Sequence, residues 1–395
     1  LITDEQLVPV LHYISPNASF SNEGSTTATG AALTGGNGDG GADAVVPNLY
    51  YIKPLSPDIT FGLGINVPFG LAVKYDDDWV GRYHAVESEL KTVNINPSVS
   101  WKLGQKLSVG YGINMQAARV TLTSAIDFGS ICWAAFSQDI CASKSRDASD
   151  PIAPQNNDGY VLLQGRDSLS FGWNAGMMYQ LADSTRVGVA YRSAISHYAK
   201  GTADFSVPGE VAFLTNGGAF TDTGLTAKLR TPDMLSISVL HKIKSTTLLA
   251  DMTWTGWSNF EELRINFDNP NQPDGVTTEE WEDTWRYSVG LNYRYSSTLL
   301  LRSGMAYDET PVPDAARRTP RLPGNNRTWL SFGANYKYSK KLSLDFGYAH
   351  LFIEDAEIDN ELESESAVAP AIAANLKGSY AASVDIFSAQ IVWSL

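Results

Sequence analysis

Residues 169–181 read LSFGWNAGMMYQL, and the large apolar side chains fall on alternate positions. Leu169, Phe171, Trp173, Ala175, Met177, Tyr179 and Leu181 lie on one side, with Ser170, Gly172, Asn174, Gly176 and Gln180 on the other. A period of two is a strand pattern, because a helix would repeat its apolar positions every three or four residues. The segment 107–119 does the same, with Leu107, Val109, Tyr111, Ile113 and Met115 opposed to Ser108, Gly110, Gly112, Asn114 and Gln116. So does 285–295, where Trp285, Tyr287, Val289, Leu291, Tyr293 and Tyr295 oppose Arg286, Ser288, Gly290, Asn292 and Arg294. A soluble sandwich also alternates. Here the apolar face carries Tyr and Trp at segment ends and the other face is small and polar, as in a barrel with lipid outside and a lumen inside. No run of about 18 apolar residues occurs, so the chain has no spanning helix.

The connections alternate in length. Short turns fall at 55–58, 104–106, 182–184, 244–245, 295–297 and 339–341. Long polar segments lie near 17–47, 71–92, 123–166, 207–223, 268–283, 313–325 and 361–379. Short turns at one end and long loops at the other are the habit of outer-membrane barrels. The alternating runs number about fourteen, an even count that puts both termini on one side. The expected fold is all-β: a single transmembrane antiparallel barrel over residues 1–395, with the long segments extracellular. Several runs exceed the roughly 9–11 residues that a tilted strand needs to span, so the barrel should continue above the membrane.

Composition narrows the function. A net charge of −14 makes nucleic acid a poor partner, since phosphate contacts need clustered Lys and Arg. The two cysteines, Cys132 and Cys141, sit in one irregular segment; they form either a local disulfide, the reading that suits an oxidising compartment, or two free thiols. With no histidine nearby they do not resemble a zinc site. The five histidines are scattered with no HExxH spacing, and no GxSxG occurs, so no enzyme, metal or cofactor is expected. Asp76-Asp77-Asp78 reads as a solvated acidic turn, with a divalent cation bridging lipopolysaccharide as the alternative. Leu1-Ile2-Thr3-Asp4 lacks the features of a signal peptide. The final Ile391-Val392-Trp393-Ser394-Leu395 resembles the terminal strand by which outer-membrane proteins are assembled, though Leu395 stands where Phe is usual.

The stretch YYIKPLSPDITFGLGINVPFGLAVKYDDDWVGRYHAVESELKTVNINPSVSW at 50–101 resembles the FadL family of outer-membrane hydrophobic-compound transporters. FGWNAGMMYQL at 171–181, LRTPDMLSISV at 229–239, MTWTGWSNFEEL at 252–263 and GMAYDETPVPDAARRTPRLPGNNRTWLSFGANYKY at 304–338 agree, in order, over essentially the whole chain. The resemblance implies a fourteen-stranded barrel, loops that capture cargo, an inner pocket, and a kinked third strand that lets cargo leave sideways into the bilayer. It implies an N-terminal plug as well; this sequence opens where the family's first strand is about to begin. The expected cargo is a hydrophobic small molecule, a long-chain fatty acid or, alternatively, a monoaromatic hydrocarbon. Passage is expected to be passive. Outer-membrane lipid and lipopolysaccharide are expected neighbours, and a monomer the expected state. The rivals are a general aqueous porin, an outer-membrane lipase and a surface receptor or adhesin.

Candidate site residues follow. Pro68 and Gly70 interrupt the third strand, because Pro cannot donate to the ladder and Gly invites a bulge; the bland reading is a strand simply ending there. Phe69, beside that interruption, is a candidate cargo contact; Leu71, Val73, Trp79, Tyr83, Trp133 and Phe136 are apolar residues on the first two capture loops, where they either meet cargo or pack loop on loop. Arg192, Arg286 and Arg302 fall on inward faces with Asp251 and Asp345; they either bind a cargo carboxylate or brace the barrel as internal ion pairs, the bracing being the favoured reading.

Overall fold

The computed structural model describes residues 4–28, 30–145, 151–363 and 373–395. Alternation becomes a closed antiparallel barrel of fourteen staves. The first is Gln6–Asn22, the second Ala44–Pro54, and the third is split into Ile59–Asn66 and Gly70–Lys74. The fourth, fifth and sixth are Glu87–Leu103, Leu107–Asp127 and Asp158–Ala182. The next four are each broken once: Thr185–Arg192 with Ile195–Ser206, Thr223–Thr231 with Met234–Ile243, Thr246–Thr255 with Glu262–Phe267, and Gly275–Thr278 with Thr284–Arg294. Leu299–Asp308, Arg327–Lys337, Leu342–Ile353 with Ala356–Glu361, and Asn375–Ser394 complete the ring. The first stave pairs with the fourteenth from Gln6↔Ser394 to Asn22↔Gly378, so the sheet has no free edge along that seam.

Closure explains the alternation. Every backbone group of a spanning strand must find a partner within the sheet, and only a closed barrel provides this without a helix. Phe171 and Tyr198 are each 62% exposed on the outer wall, a waste of apolar surface in water but the natural state in lipid. Among the described residues no helix is long and apolar enough to cross a membrane.

The staves climb further than the polar loops suggested. The fifth and sixth run to Asp127 and from Asp158, and 71–74 and 87–92 are also strand. Above the lipid belt the outer face need not be apolar, so the sequence pattern fades before the hydrogen-bond ladder does. Parts of the expected loops near 17–47, 123–166 and 361–379 (residues 29, 146–150 and 364–372) lie outside the described residues.

Candidate functional site

The third stave breaks at Val67-Pro68-Phe69. Below the break Asn66 pairs with Asn94; above it Gly70 pairs with Lys91. Four steps along this stave thus face three along the fourth, so one extra residue is accommodated as a bulge. Thr92 secures the bulged side: its Oγ1 donates to the Phe69 carbonyl at 2.6 Å and accepts from the Phe69 amide at 3.1 Å. On the other side the Val67 amide donates to the Asn48 side-chain oxygen at 3.2 Å, and no backbone ladder spans the break. Pairing with the second stave stops at Leu49↔Ile65 and returns only at the isolated Gly41↔Val73 bridge. Between these, Ala44–Pro47 and Val67–Phe69 have no ladder in common.

A cavity of about 440 Å³ lies behind the break, bounded by Pro68, Phe69, Gly70 and Leu71. Leu90, Val120, Leu163, Leu225, Leu263 and Ile265 make its aliphatic wall. The aromatic wall is a chain of contacts. Phe69 meets Trp257 edge-on at 6.2 Å between centroids, Trp257 meets Trp281 at 5.0 Å, and Trp281 meets Phe260 at 4.7 Å. A second cavity of about 240 Å³ lies towards the loops, against Tyr83, Phe205, Phe220 and Phe267. The two share Leu122, Leu163, Leu263, Ile265, Thr319 and Arg321 as common wall.

Arg321 stands at that junction. Its Nη1 donates to Ser88 Oγ at 2.7 Å and its Nη2 to the His84 carbonyl at 2.8 Å, both uncharged acceptors. A guanidinium has five donors, so the site has capacity for a charged partner. Burial pushes Arg321 down to about 10, still protonated at neutral pH. Burial pushes neighbouring Glu279 up to about 7, opposed by the Trp281 indole N–H that donates to its Oε2 at 2.8 Å and then by the charge of Arg321. Burial also pushes His84 down to about 4, leaving it neutral. The junction therefore holds one permanent cation and one carboxyl poised near neutrality.

The first capture loop is a packed roof. Trp79 is 1% exposed, stacked on Tyr75 at 4.0 Å and edge-on to Phe20 at 5.7 Å, and Val73 is buried in the same cluster. Neither reaches a cavity; Leu71 reaches the inner one and Tyr83 the outer. The second loop forms two short helices, Phe128–Ala135 and Gln138–Lys144, tied by a Cys132–Cys141 disulfide. Trp133 donates to the Ile152 carbonyl at 3.0 Å, and Phe136 lies half-exposed against Phe213 at 5.7 Å. Among the described residues no cluster of His, Cys, Asp or Glu is arranged to hold a metal ion, and the Asp76-Asp77-Asp78 run is no exception.

The inward charges separate. Arg286 and its cross-strand partner Asp308 line the inner cavity. Arg302 is far from it: its Nη1 donates to Asp345 Oδ1 at 2.7 Å, and Asn335 and Gln390 complete that carboxylate. Arg192 lines neither cavity and one of its terminal nitrogens lacks a partner. Asp251 sits opposite Ser238 and Ser288 on its neighbours. Asp345→Asn is expected to lower barrel stability by about 1 kcal/mol, a small figure because Arg302 is partly hydrated, and to leave cargo affinity unchanged; urea unfolding and ligand titration on the same preparation check both.

Below the cavity the lumen wall is polar. Asn94 donates to Asn66 and to Asn114 at 3.1 Å each, and Asn114 and Asn96 donate to Asn174 at 3.2 and 2.7 Å. Asn114 and Asn174 belong to the small polar face read from the sequence; Asn66, Asn94 and Asn96, with Trp257, Trp281, Glu279 and Arg321, were not singled out there. The available signal was weak: Arg321 sits in AARRTPRLPGNN, which reads as a solvated basic loop.

The family model described as outer membrane protein transport protein (OMPP1/FadL/TodX) matches residues 1–394. Outer membrane protein P1 of Haemophilus influenzae is 31% identical over 316 residues, 78% of this chain and 66% of that protein, so the match spans just under two thirds of its length. The long-chain fatty acid transport protein of Escherichia coli K12 is 28% identical over 371 residues, 89% of this chain and 80% of that one. Among solved structures, a Pseudomonas aeruginosa FadL homologue superposes with a TM-score of 0.86 at 22% identity, covering 100% of this chain and 91% of that one. The P. putida toluene transporter TodX superposes at 0.68 with 16% identity, covering 99% and 90%. A closed barrel with a lipid-facing belt and a model match along its whole length place the chain in the OMPP1/FadL/TodX family of outer-membrane transport proteins, in the outer membrane of a Gram-negative cell.

Proposed function

We propose that the protein carries long-chain fatty acids passively across the outer membrane, from the loop-side cavity past Arg321 into the inner cavity and out through the break in the third stave. The observation that carries this reading is the placement of one half-buried arginine at the junction of two apolar cavities, the inner of which ends at that break. Each methylene taken from water gains about 0.8 kcal/mol, so an acyl chain fills the cavities spontaneously, and its carboxylate supplies the charged partner of Arg321. Sideways release keeps the chain in apolar surroundings. Descent along the axis would drag it past the asparagines and the Arg302–Asp345 pair, giving that gain back methylene by methylene.

The aromatic wall formed by Phe69, Trp257, Phe260 and Trp281 favours a second cargo, monoaromatic hydrocarbons, which would use the same route without needing Arg321. Binding of radiolabelled oleate to the purified protein, with toluene as competitor, separates the two. Saturable oleate binding that toluene displaces poorly supports the fatty acid; toluene binding with no oleate binding refutes it. A general porin would instead give steady ion conductance in planar bilayers.

The acid next to the arginine sets a pH dependence. Below pH 7 Glu279 is neutral and Arg321 is free for the cargo carboxylate, which itself stays ionised well below that. Above pH 7 Glu279 ionises and competes for the same cation. Oleate affinity is therefore expected to fall roughly threefold between about pH 6 and pH 8, and Glu279→Gln to flatten the profile. A profile that rises with pH would contradict the pairing.

A further inference from the structure

The outer wall carries a row of cations that the transport route does not use. Lys91 pairs directly with Arg119, Arg119 with Arg166, and Arg166 with Lys200, across the fourth to seventh staves. All four are exposed, and they line a shallow groove of about 600 Å³ on the outside of the barrel. Lys91 touches Glu89; among the described residues no ion pair joins Arg119, Arg166 or Lys200. Like charges placed directly opposite one another destabilise a sheet, and here four stand in line over about three strand spacings, roughly 14 Å. The chain as a whole has a net charge of −14, so surplus positive charge does not explain them.

Their depth is informative. One register row nearer the periplasmic turns the outer face exposes Val93, Ser168 and Tyr198, with Lys228 opposite Tyr198. One row nearer the loops it carries Glu89, Thr121, Gln164 and Thr202, and beyond these Glu87 and Asp204. Strands of such barrels tilt by about 35–45°, so the row slants across the loop-side rim of the apolar belt, which it meets at Val93 on the fourth stave. Charges at that level cost only about 0–1 kcal/mol each, against about 2–4 at the bilayer centre.

We propose that this row is a binding site for the phosphate groups of lipopolysaccharide in the outer leaflet. Two adjacent guanidinium groups offer forked donors to phosphate, and the flanking lysines add point charges. An acyl-anchored phosphate held there neutralises the repulsion within the row while its chains cover Val93 and Tyr198. The row begins beside Gly70, so the bound lipid borders the break in the third stave.

The test uses the whole protein in non-ionic detergent, with purified lipopolysaccharide, its dephosphorylated form, inorganic phosphate and oleate as probes. The expected result is at least tenfold tighter binding of the phosphorylated lipid than of the dephosphorylated one, no competition from millimolar inorganic phosphate, and at least a tenfold loss in K91Q/R119Q/R166Q/K200Q. K340Q/K341Q, at the opposite end of the barrel, is expected to bind as the parent does. Heat-modifiable migration on gels reports whether each variant is folded; if the quadruple variant is not, R119Q/R166Q carries the test with the same expected direction. Undiminished lipid binding by the folded variant, equal binding of the dephosphorylated lipid, displacement by free phosphate, or a loss confined to oleate overturns the assignment.

Discussion

Deleting Pro68 together with Gly70→Val is expected to reduce fatty-acid uptake by cells at least tenfold, to background, while the barrel still folds. The reason is register. Asn66 faces Asn94 and Gly70 faces Lys91, so the third stave carries one residue too many, and removing it lets the ladder run unbroken along the fourth stave. A straightened stave brings its other edge within pairing distance of Ala44–Pro47, about 4.8 Å from strand to strand, and closes the wall. The isolated Gly41–Val73 bridge must shift by one residue, which costs little outside a continuous ladder. A Cβ at position 70 meets only the Leu90 carbonyl at 3.7 Å, an ordinary contact, so the valine is tolerated. Substituting the three break residues without deleting one leaves the bulge in place and is a weaker experiment. Uptake by intact cells, scaled to the amount of folded barrel, checks the result; parental uptake by the closed barrel removes the side exit.

Arg321→Met is expected to weaken oleate binding about thirtyfold and to leave toluene binding within twofold. A charge-assisted hydrogen bond in a site screened from water contributes roughly 2 kcal/mol, and among the described residues this arginine is the only charged one that lines both cavities. The unbranched methionine keeps most of the volume and removes the need to bury a cation, so the fold should not suffer. Ser88 and the His84 carbonyl lose a donor, and Arg321→Lys, which restores a charge without the fork, is expected to recover part of the affinity. Equal losses for oleate and toluene would mean that Arg321 shapes the cavity and does not read the headgroup.

The barrel was readable because lipid and lumen impose opposite demands on neighbouring residues. Segments 107–119, 169–181 and 285–295 show this without any knowledge of the fold. The break at Pro68 was also visible, since an amide-free residue between glycines cannot extend a ladder. Its one-residue offset was not, because register is a relation between two strands. The apolar residues of the first loop left cargo contact and loop packing both open; Trp79 is held by Tyr75, Phe20 and the Ala85 carbonyl, which accepts from its indole nitrogen at 2.8 Å. Sequence records that a tryptophan sits in a loop, not that the loop folds back on a neighbouring stave. Arg321 was missed for the same reason. Its partner Ser88 is 233 positions away, and only closure of the sheet brings the two together.

The same distinction separates the roles proposed for Arg302 and Arg321, although both are arginines near the lumen. Arg302 has Asp345 within 2.7 Å in a polar wall and is already neutralised. Arg321 has only uncharged hydrogen-bond acceptors and lies between two apolar spaces, where an incoming carboxylate gains most from it.

The most direct measurement is the anomalous density of a fatty acid brominated at its terminal carbon, bound to crystals of the protein. The account predicts a bromine peak against Phe69 and Trp257 at the wall break, with the carboxylate on Arg321. A peak on the barrel axis beside Arg302 and Asp345, with the inner cavity empty, would contradict it.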